Sequence, residues 1–224
     1  RKALGDKVHC DVNITSLRRA NGGVMLSIEG QGDLWFDKVI MAAHADESLA
    51  LIADPTDRER DVLSAFKFQP NRAVLHSDPR LMPQRRSTWA AWNYIASKGG
   101  SGTGNSDNLC LTYWMNRLQS IDLKYPLYET LNPHIEPDPA LVQGEFIYHH
   151  PVFDYAAINA QPQLADMQGV NNLFFAGAWT GYGFHEDGLK SAVAIAKTLG
   201  APIPWHSDVL PFTVQNNMAT QVGA

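Results

Sequence analysis

Three side chains able to move protons or hold a metal stand together at His185, Glu186 and Asp187, in the stretch GYGFHEDGL (181–189). Several roles suit such a cluster. His185 or Glu186 can serve as a general acid or base. The trio can contribute to a metal site, or Asp187 can cap a helix. The turn as a whole can also form one end of a cradle for a bound cofactor. A metal is not expected: no HxxxH or HExxH spacing occurs, and the adjacent His149 and His150 sit on an extended pattern that points neighbouring side chains apart. A serine nucleophile has no G-x-S-x-G turn to sit on. The Gly-rich stretch 99–104 lacks the spacing of a phosphate loop and lies between two strand patterns. It reads as a hairpin loop, with a lid over a ligand as the second reading.

The elements that must position the cluster are legible around it. Residues 173–176 form an apolar strand that delivers Gly177 and Ala178, whose slim backbone allows close approach of a ligand. Gly181 and Gly183 keep the turn narrow. A helix is expected over 187–199, with Asp187 at its N-cap and Leu189, Ala192, Val193, Ala196 and Leu199 on one buried stripe. Gly200 stops it, and Pro202 and Pro204 prevent its return. The positive end of that helix points at the turn and favours negative charge on whatever binds there. A cofactor cradle and a plainly capped helix both fit this pattern.

Upstream, short β-rich segments at 12–17, 24–28 and 34–40 are separated by Asn21-Gly22-Gly23 and by 29–33, which predicts a β-meander. Its last strand, 38–43, turns wholly apolar after Lys38, as in a sheet covered on both faces. Residues 45–52 form a short helix, and a second begins at Asp54-Pro55, with Asp54 as cap and Val62, Leu63 and Phe66 inward, ending before Pro70. Strands follow at 72–76, 88–95 and 109–118, the last two as an antiparallel pair rich in aromatics. Trp89, Trp92, Tyr94, Tyr113 and Trp114 pack the faces of that pair or line an apolar substrate wall, for which Trp92, Tyr94 and Tyr113 are the candidates. Residues 132–172 read as loop-rich, and those after 200 as a peripheral tail.

With 224 residues, 45% hydrophobic and 18% charged, the chain has the composition of a globular protein with one large or two small domains. A net charge of -5 without any Lys/Arg run speaks against nucleic acid and anionic membrane surfaces. No stretch approaches the roughly 18 apolar residues of a membrane span. Cys10 and Cys110 read as two buried thiols in a reducing compartment. The opening RKALGDKVHC has no signal-peptide core, so a cytoplasmic location is expected.

Several phrases carry a family likeness. LHSDPRLMP (75–83), WAAWNY (89–94), LTYWMNRLQ (111–119), TLNP (130–133), HPVFD (150–154) and GYGFHEDGL (181–189) resemble the C-terminal, flavin-binding part of the FAD-dependent amine oxidase superfamily. They are closest to a bacterial subgroup described as NAD/FAD-binding oxidoreductases or flavin-containing amine oxidases. The superfamily includes monoamine oxidases, phytoene desaturases and fatty-acid double-bond isomerases. The resemblance implies an α/β fold: part of a glutathione-reductase-like FAD domain (1–43 and 170–200), an inserted mixed-sheet substrate domain (44–169) and a C-terminal tail (201–224). It implies FAD as cofactor, met by the backbone at Ile14, Ala43, Gly177 and Ala178. The helix start at Asp187, Gly188 and Leu189 would face the N1–C2=O pole of the isoalloxazine. It also implies hydride transfer between a small-molecule substrate, apolar or an amine, and FAD, with His185 or Glu186 assisting as acid or base. A fatty-acid desaturase or double-bond isomerase is the alternative. No GxGxxG occurs, so the N-terminal half of the FAD site is expected to lie elsewhere, and a fragment unable to hold FAD alone is a further alternative. Where many amine oxidases have an acid two positions after the matching glycine, this chain has Trp179.

Overall fold

The computed structural model describes residues 4–95, 110–203 and 205. The Gly-rich stretch 99–104 lies outside them, as does nearly all of the expected tail. Along the chain, strands β1 (Ile14–Ala20), β2 (Gly23–Ile28), β3 (Gly32–Phe36) and β4 (Val39–Met41) come first. Helices α1 (Ala45–Leu51) and α2 (Asp57–Leu63) follow, then β5 (Lys67–His76), β6 (Trp92–Ile95) and β7 (Cys110–Trp114). Next are α3 (Met115–Leu118), β8 (Tyr128–Leu131), β9 (Val142–Val152), α4 (Tyr155–Ala160), β10 (Leu173–Phe175) and α5 (His185–Thr198). Among the described residues, those up to Ala43, Leu51–Asp54 and those from Leu164 onward form one compact unit. His44–Ala50 and Pro55–Gln163 form a second.

In the first unit β1, β2 and β3 make the meander, antiparallel in order. Asn21 and Gly22, both at positive φ (53° and 76°), close its first hairpin, the two-residue turn that suits right-handed strand twist. The apolar strand β4 is not the meander's fourth member. It pairs in parallel with β10, Leu173 opposite Val39 and Phe175 opposite Met41. Nor is it covered on both faces, since Ile40 is 47% exposed. Leu173 and Phe175 are fully buried, and each such side chain contributes about 2–3 kcal/mol through burial. Leu17, Val24 and Met41 complete this core.

The second unit is built on a five-stranded sheet in the order β6-β7-β8-β5-β9. The expected mixed sheet is antiparallel in each of its described pairs. Several boundaries differ from expectation. Thr56, not Asp54, caps α2: its hydroxyl accepts the Glu59 N–H and the Glu59 carboxylate accepts the Thr56 N–H, a reciprocal capping box. Asp54 instead binds the Arg19 side chain. β5 runs through Pro70, because β8 flanks only Ala73–His76 and one side of the strand at Pro70 has no ladder to complete. The expected 109–118 strand turns at Trp114 into α3, and the 88–95 strand begins only at Trp92. The stretch 132–172 holds the longest strand, β9. Cys110 is buried, and the desolvation pushes its thiol up; Cys10 is exposed, against expectation.

Polar side chains within the resemblance phrases hold this unit together. His76 is fully buried and accepts the Asp78 N–H on Nδ1 at 3.1 Å, so Nε2 carries the proton and donates to Thr130 Oγ1 at 2.7 Å. Thr130 Oγ1 lies 2.8 Å from Thr112 Oγ1, extending the chain of bonds beneath the sheet. Asp78 takes Arg80 on both carboxylate oxygens and the Asp138 N–H at 2.9 Å. Asn116 donates to the carbonyls of Ile121, Asp122 and Tyr125 and accepts the Leu127 N–H, so one side chain shapes the connection to β8. Asn93 does the same for Ala90 and Thr112, and Asn132 for Arg72 and Asn71.

Candidate functional site

The His-Glu-Asp cluster lies at the start of α5, and its three members do different things. The helix begins at His185 rather than Asp187, and Phe184 is the N-cap residue. Asp187 is therefore the third helical residue. Its carboxylate reaches back to accept the Phe184 N–H at 3.1 Å and the Tyr182 N–H at 3.0 Å. That is half of a capping box: the side chain braces the turn from inside the helix. Gly181 is required beneath it, because a Cβ there would lie 2.6 Å from the Asp187 Cγ.

The amides of Asp187 and Gly188 both donate to the Phe184 carbonyl, at 3.0 and 3.3 Å. Two amides at the positive end of the helix, those of His185 and Glu186, have no acceptor among the described residues. The resemblance had pointed to the amides of Asp187, Gly188 and Leu189; the open donors lie two residues earlier because the helix starts two residues earlier. Both His185 and Glu186 are exposed, and neither side chain has a hydrogen-bond or ionic partner among the described residues. The expected apolar stripe also turns. The covered face of α5 centres on Gly188, Ser191 and Ile195, while Leu189 and Leu199 are 45% and 39% exposed.

Gly177 joins the strand to this turn. Its φ of 151° with ψ of 163° is accessible only to glycine, and a Cβ would lie 2.6 Å from the Trp179 indole nitrogen. Its N–H donates to Ser191 Oγ at 3.0 Å, and Ser191 in turn donates to the Gly188 carbonyl at 2.7 Å. Its carbonyl accepts from the Thr180 hydroxyl at 2.8 Å. Ala178 opens the single 3-10 turn that follows, and its carbonyl accepts the N–H groups of Gly181 and Gly183. Trp179 is buried and donates its indole N–H to the Ala43 carbonyl at 3.1 Å, tying the end of β10 to the end of β4. Ile14 sits at the first residue of β1, beside the irregularity that shifts the β1–β2 register. Ser191 is not legible in the sequence, and Trp179, which stands out there only as a departure from the amine oxidase pattern, ties the two strand ends together. A serine in mid-helix, three residues after a glycine, resembles any polar helix position until the strand end is seen beside it.

In the second unit, Trp92, Tyr94 and Tyr113 lie on one face of the sheet, opposite to the buried His76–Thr130–Thr112 side. Trp92 and Tyr113 are direct cross-strand partners with rings 5.5 Å apart at 80°. Trp92 is 53% and Tyr94 62% exposed. Burial, and next the Glu129 charge, push the Tyr113 hydroxyl up. Trp89 and Trp114 instead meet edge-to-face with centroids 5.3 Å apart, and Trp89 also meets Tyr128 of the buried side.

No protein-family model matches this sequence, and no curated protein sequence matches it. Solved structures do. The CLA-producing fatty acid isomerase from P. acnes is similar with a TM-score of 0.54 at 17% identity, over 84% of this chain and 47% of that one. Cyclohexylamine oxidase from Brevibacterium oxydans IH-35A gives 0.56 at 13% identity, over 89% of this chain and 51% of that one. Reduced UDP-galactopyranose mutase gives 0.53 at 9%, over 89% and 50%. The chain spans about half the length of these structures. At such identities the likeness is one of fold alone: over the part that it covers, the chain has the α/β fold of these structures.

Proposed function

We propose that the chain supplies the C-terminal half of a flavin-dependent oxidoreductase, with part of an FAD cradle in the first unit and a substrate wall in the second. The observation that carries this reading is the strand-turn-helix at 173–198. A glycine that tolerates no side chain leads into a helix whose first two amides are open. The residues fit a flavin. Two N–H donors and a helix dipole favour an anionic pole, which is the character of a reduced flavin at N1–C2=O. The bound flavin would supply hydride transfer to or from a substrate carbon.

In this reading Gly177 and Ala178 present slim backbone to the cofactor, and Ile14 and Ala43 offer theirs from the strand ends. Asp187, Gly188 and Leu189 form the body of the helix start, with Asp187 bracing the turn and the His185 and Glu186 amides donating. The His185 and Glu186 side chains are the acid/base candidates, since neither is engaged in bracing the turn. Trp92, Tyr94 and Tyr113 form the apolar wall. The missing partner is the N-terminal half of the FAD domain, which brings the dinucleotide-binding turn. A fatty-acid desaturase or isomerase is the second reading, favoured by the exposed aromatic face.

The test is a thermal melt of the purified chain against FAD, with the visible flavin band read on the same sample. Retention of the cradle predicts a yellow protein whose melting temperature rises with FAD, by the equivalent of about 2.7 kcal/mol when FAD reaches a hundred times its dissociation constant. A colourless protein that FAD leaves unstabilised would count against a functional cradle in this chain.

A further inference from the structure

Strand β9 ends the five-stranded sheet, and one of its sides is open. It runs for 11 residues beside β5, and no strand of the described residues lies on its far side. Two prolines settle which backbone groups face that open side. Pro70 stands opposite His149 and Pro151 opposite Phe68, so both fall in the same alternate class of β5–β9 pairs. Neither has an N–H to give, which makes that class the one without hydrogen bonds between the two strands. Arg72, opposite Ile147 in the same class, agrees. Its N–H donates to the Asn132 side chain at 3.1 Å, and its carbonyl accepts the Asn132 N–H at 2.8 Å, both on the β8 side. The N–H and C=O groups of Glu145, Ile147 and His149 therefore turn outward, to the open edge.

Open edges invite pairing, and proteins blunt them with prolines and bulges. Here those devices stand at the two ends: a register irregularity at the start of β9 and Pro151 near its finish. Between them Phe146, Ile147 and Tyr148 are 49%, 56% and 46% exposed, an apolar run that shows on both faces. The order of residues is also self-complementary. Turned about a two-fold axis at Ile147, the strand meets its own copy along its whole length. Ile147 faces Ile147, Phe146 faces Tyr148, Glu145 faces His149 and Val142 faces Val152. The outward groups of Ile147 make the central pair a hydrogen-bonded one, and Glu145 with His149 forms the next. An axis one residue to either side would instead set Ile147 against Glu145 or against His149. Phe146 and Tyr148 already stack at 6.0 Å within one chain, and the copy extends that row of rings. Arg72 is shared by Glu136 and Glu145, so the group keeps a net negative charge opposite an imidazole that can donate.

We propose that the open edge of β9 is a homodimer interface: two copies of the chain join antiparallel about Ile147, and their five-stranded sheets become one continuous sheet. The same patch then serves both partners, as a two-fold interface requires.

Sedimentation equilibrium of the whole chain from about 1 to about 200 µM should show a concentration-dependent rise to twice the chain mass. Ile147→Pro removes an N–H that faces the copy and none that β5 uses. It should weaken the dimer at least about tenfold with unchanged circular dichroism. His149→Glu, which sets a second carboxylate against Glu145, should weaken it as well, and more so at low salt. Leu34→Lys, on the exposed strand β3, should leave it as it was. In a Cys10→Ser background, a short bismaleimide should link Ile147→Cys chains, whose thiols meet at the axis. It should not link Val152→Cys chains, whose thiols lie about 34 Å apart across the same axis. A chain that stays monomeric throughout overturns the proposal. So does a dimer that survives either edge variant or is lost in Leu34→Lys, and so does a failure to link at 147 or a link at 152.

Discussion

Removing one hydroxyl, in Ser191→Ala, tests how the candidate cradle is held. Ser191 Oγ accepts the Gly177 N–H at 3.0 Å and donates to the Gly188 carbonyl at 2.7 Å. Alanine leaves the carbonyl little changed, since it already lies within the helix. The Gly177 amide, however, loses its one acceptor in a half-buried place. An orphaned buried donor costs about 1–3 kcal/mol, and partial access to water sets this one in the lower half, about 1–2 kcal/mol. That is roughly a five- to thirtyfold shift in the equilibrium between closed and open turn. Amide hydrogen exchange reads it directly: protection of Gly177 should fall by that factor, and the urea midpoint should move down. Thr198→Ala is the control, because that hydroxyl only bonds back to the Ala194 carbonyl at 3.1 Å on an exposed part of the helix. If Gly177 keeps its protection in Ser191→Ala, the argument that this side chain joins the strand end to the helix is wrong.

Three further outcomes follow from the same geometry. Gly177→Ala forces a Cβ to 2.6 Å from the Trp179 indole nitrogen at a φ of 151°, so it should cost about 1–3 kcal/mol and shift the near-ultraviolet signature of Trp179. Asn116→Ala removes three donated bonds and one accepted bond, so urea unfolding should show a loss of about 2–4 kcal/mol, with faster proteolysis between 117 and 127. Acid should act through two groups. Burial holds the folded His76 below its ordinary 6.5, so the unfolded chain takes the proton first. Its contribution is complete above about 6.5 and declines as pH falls below that, a slope that His76→Gln should remove. Arg80 holds Asp78 far below its ordinary 3.8; that contribution stands above 3.8 and is lost on further acidification, a second slope that His76→Gln should leave intact.

What could be read from the sequence was mostly local. Asn21-Gly22 names its own turn, because both residues accept positive φ. The apolar run 173–176 followed by glycine gave the strand and its slim exit. Strand β9 escaped because its residues are exposed on both faces and it runs through Pro151, so neither alternation nor an apolar run marks it. Thr56-Asp-Arg-Glu59 spelled a capping box that the neighbouring Asp54-Pro55 concealed. The start of α5 was misjudged by two residues, since Asp187 can cap from outside a helix or brace from its third position. The two positions point different amides at a ligand. The polar residues of the resemblance phrases, Asp78, Asn93, Asn116 and Asn132, shape loops through side chain–backbone bonds.

The most direct measurement of the central claim is an amide-resolved NMR titration of the chain with FAD. The account predicts that the largest shifts fall on the amides of Ala178, His185 and Glu186. Shifts centred elsewhere, or none at millimolar FAD, would contradict it.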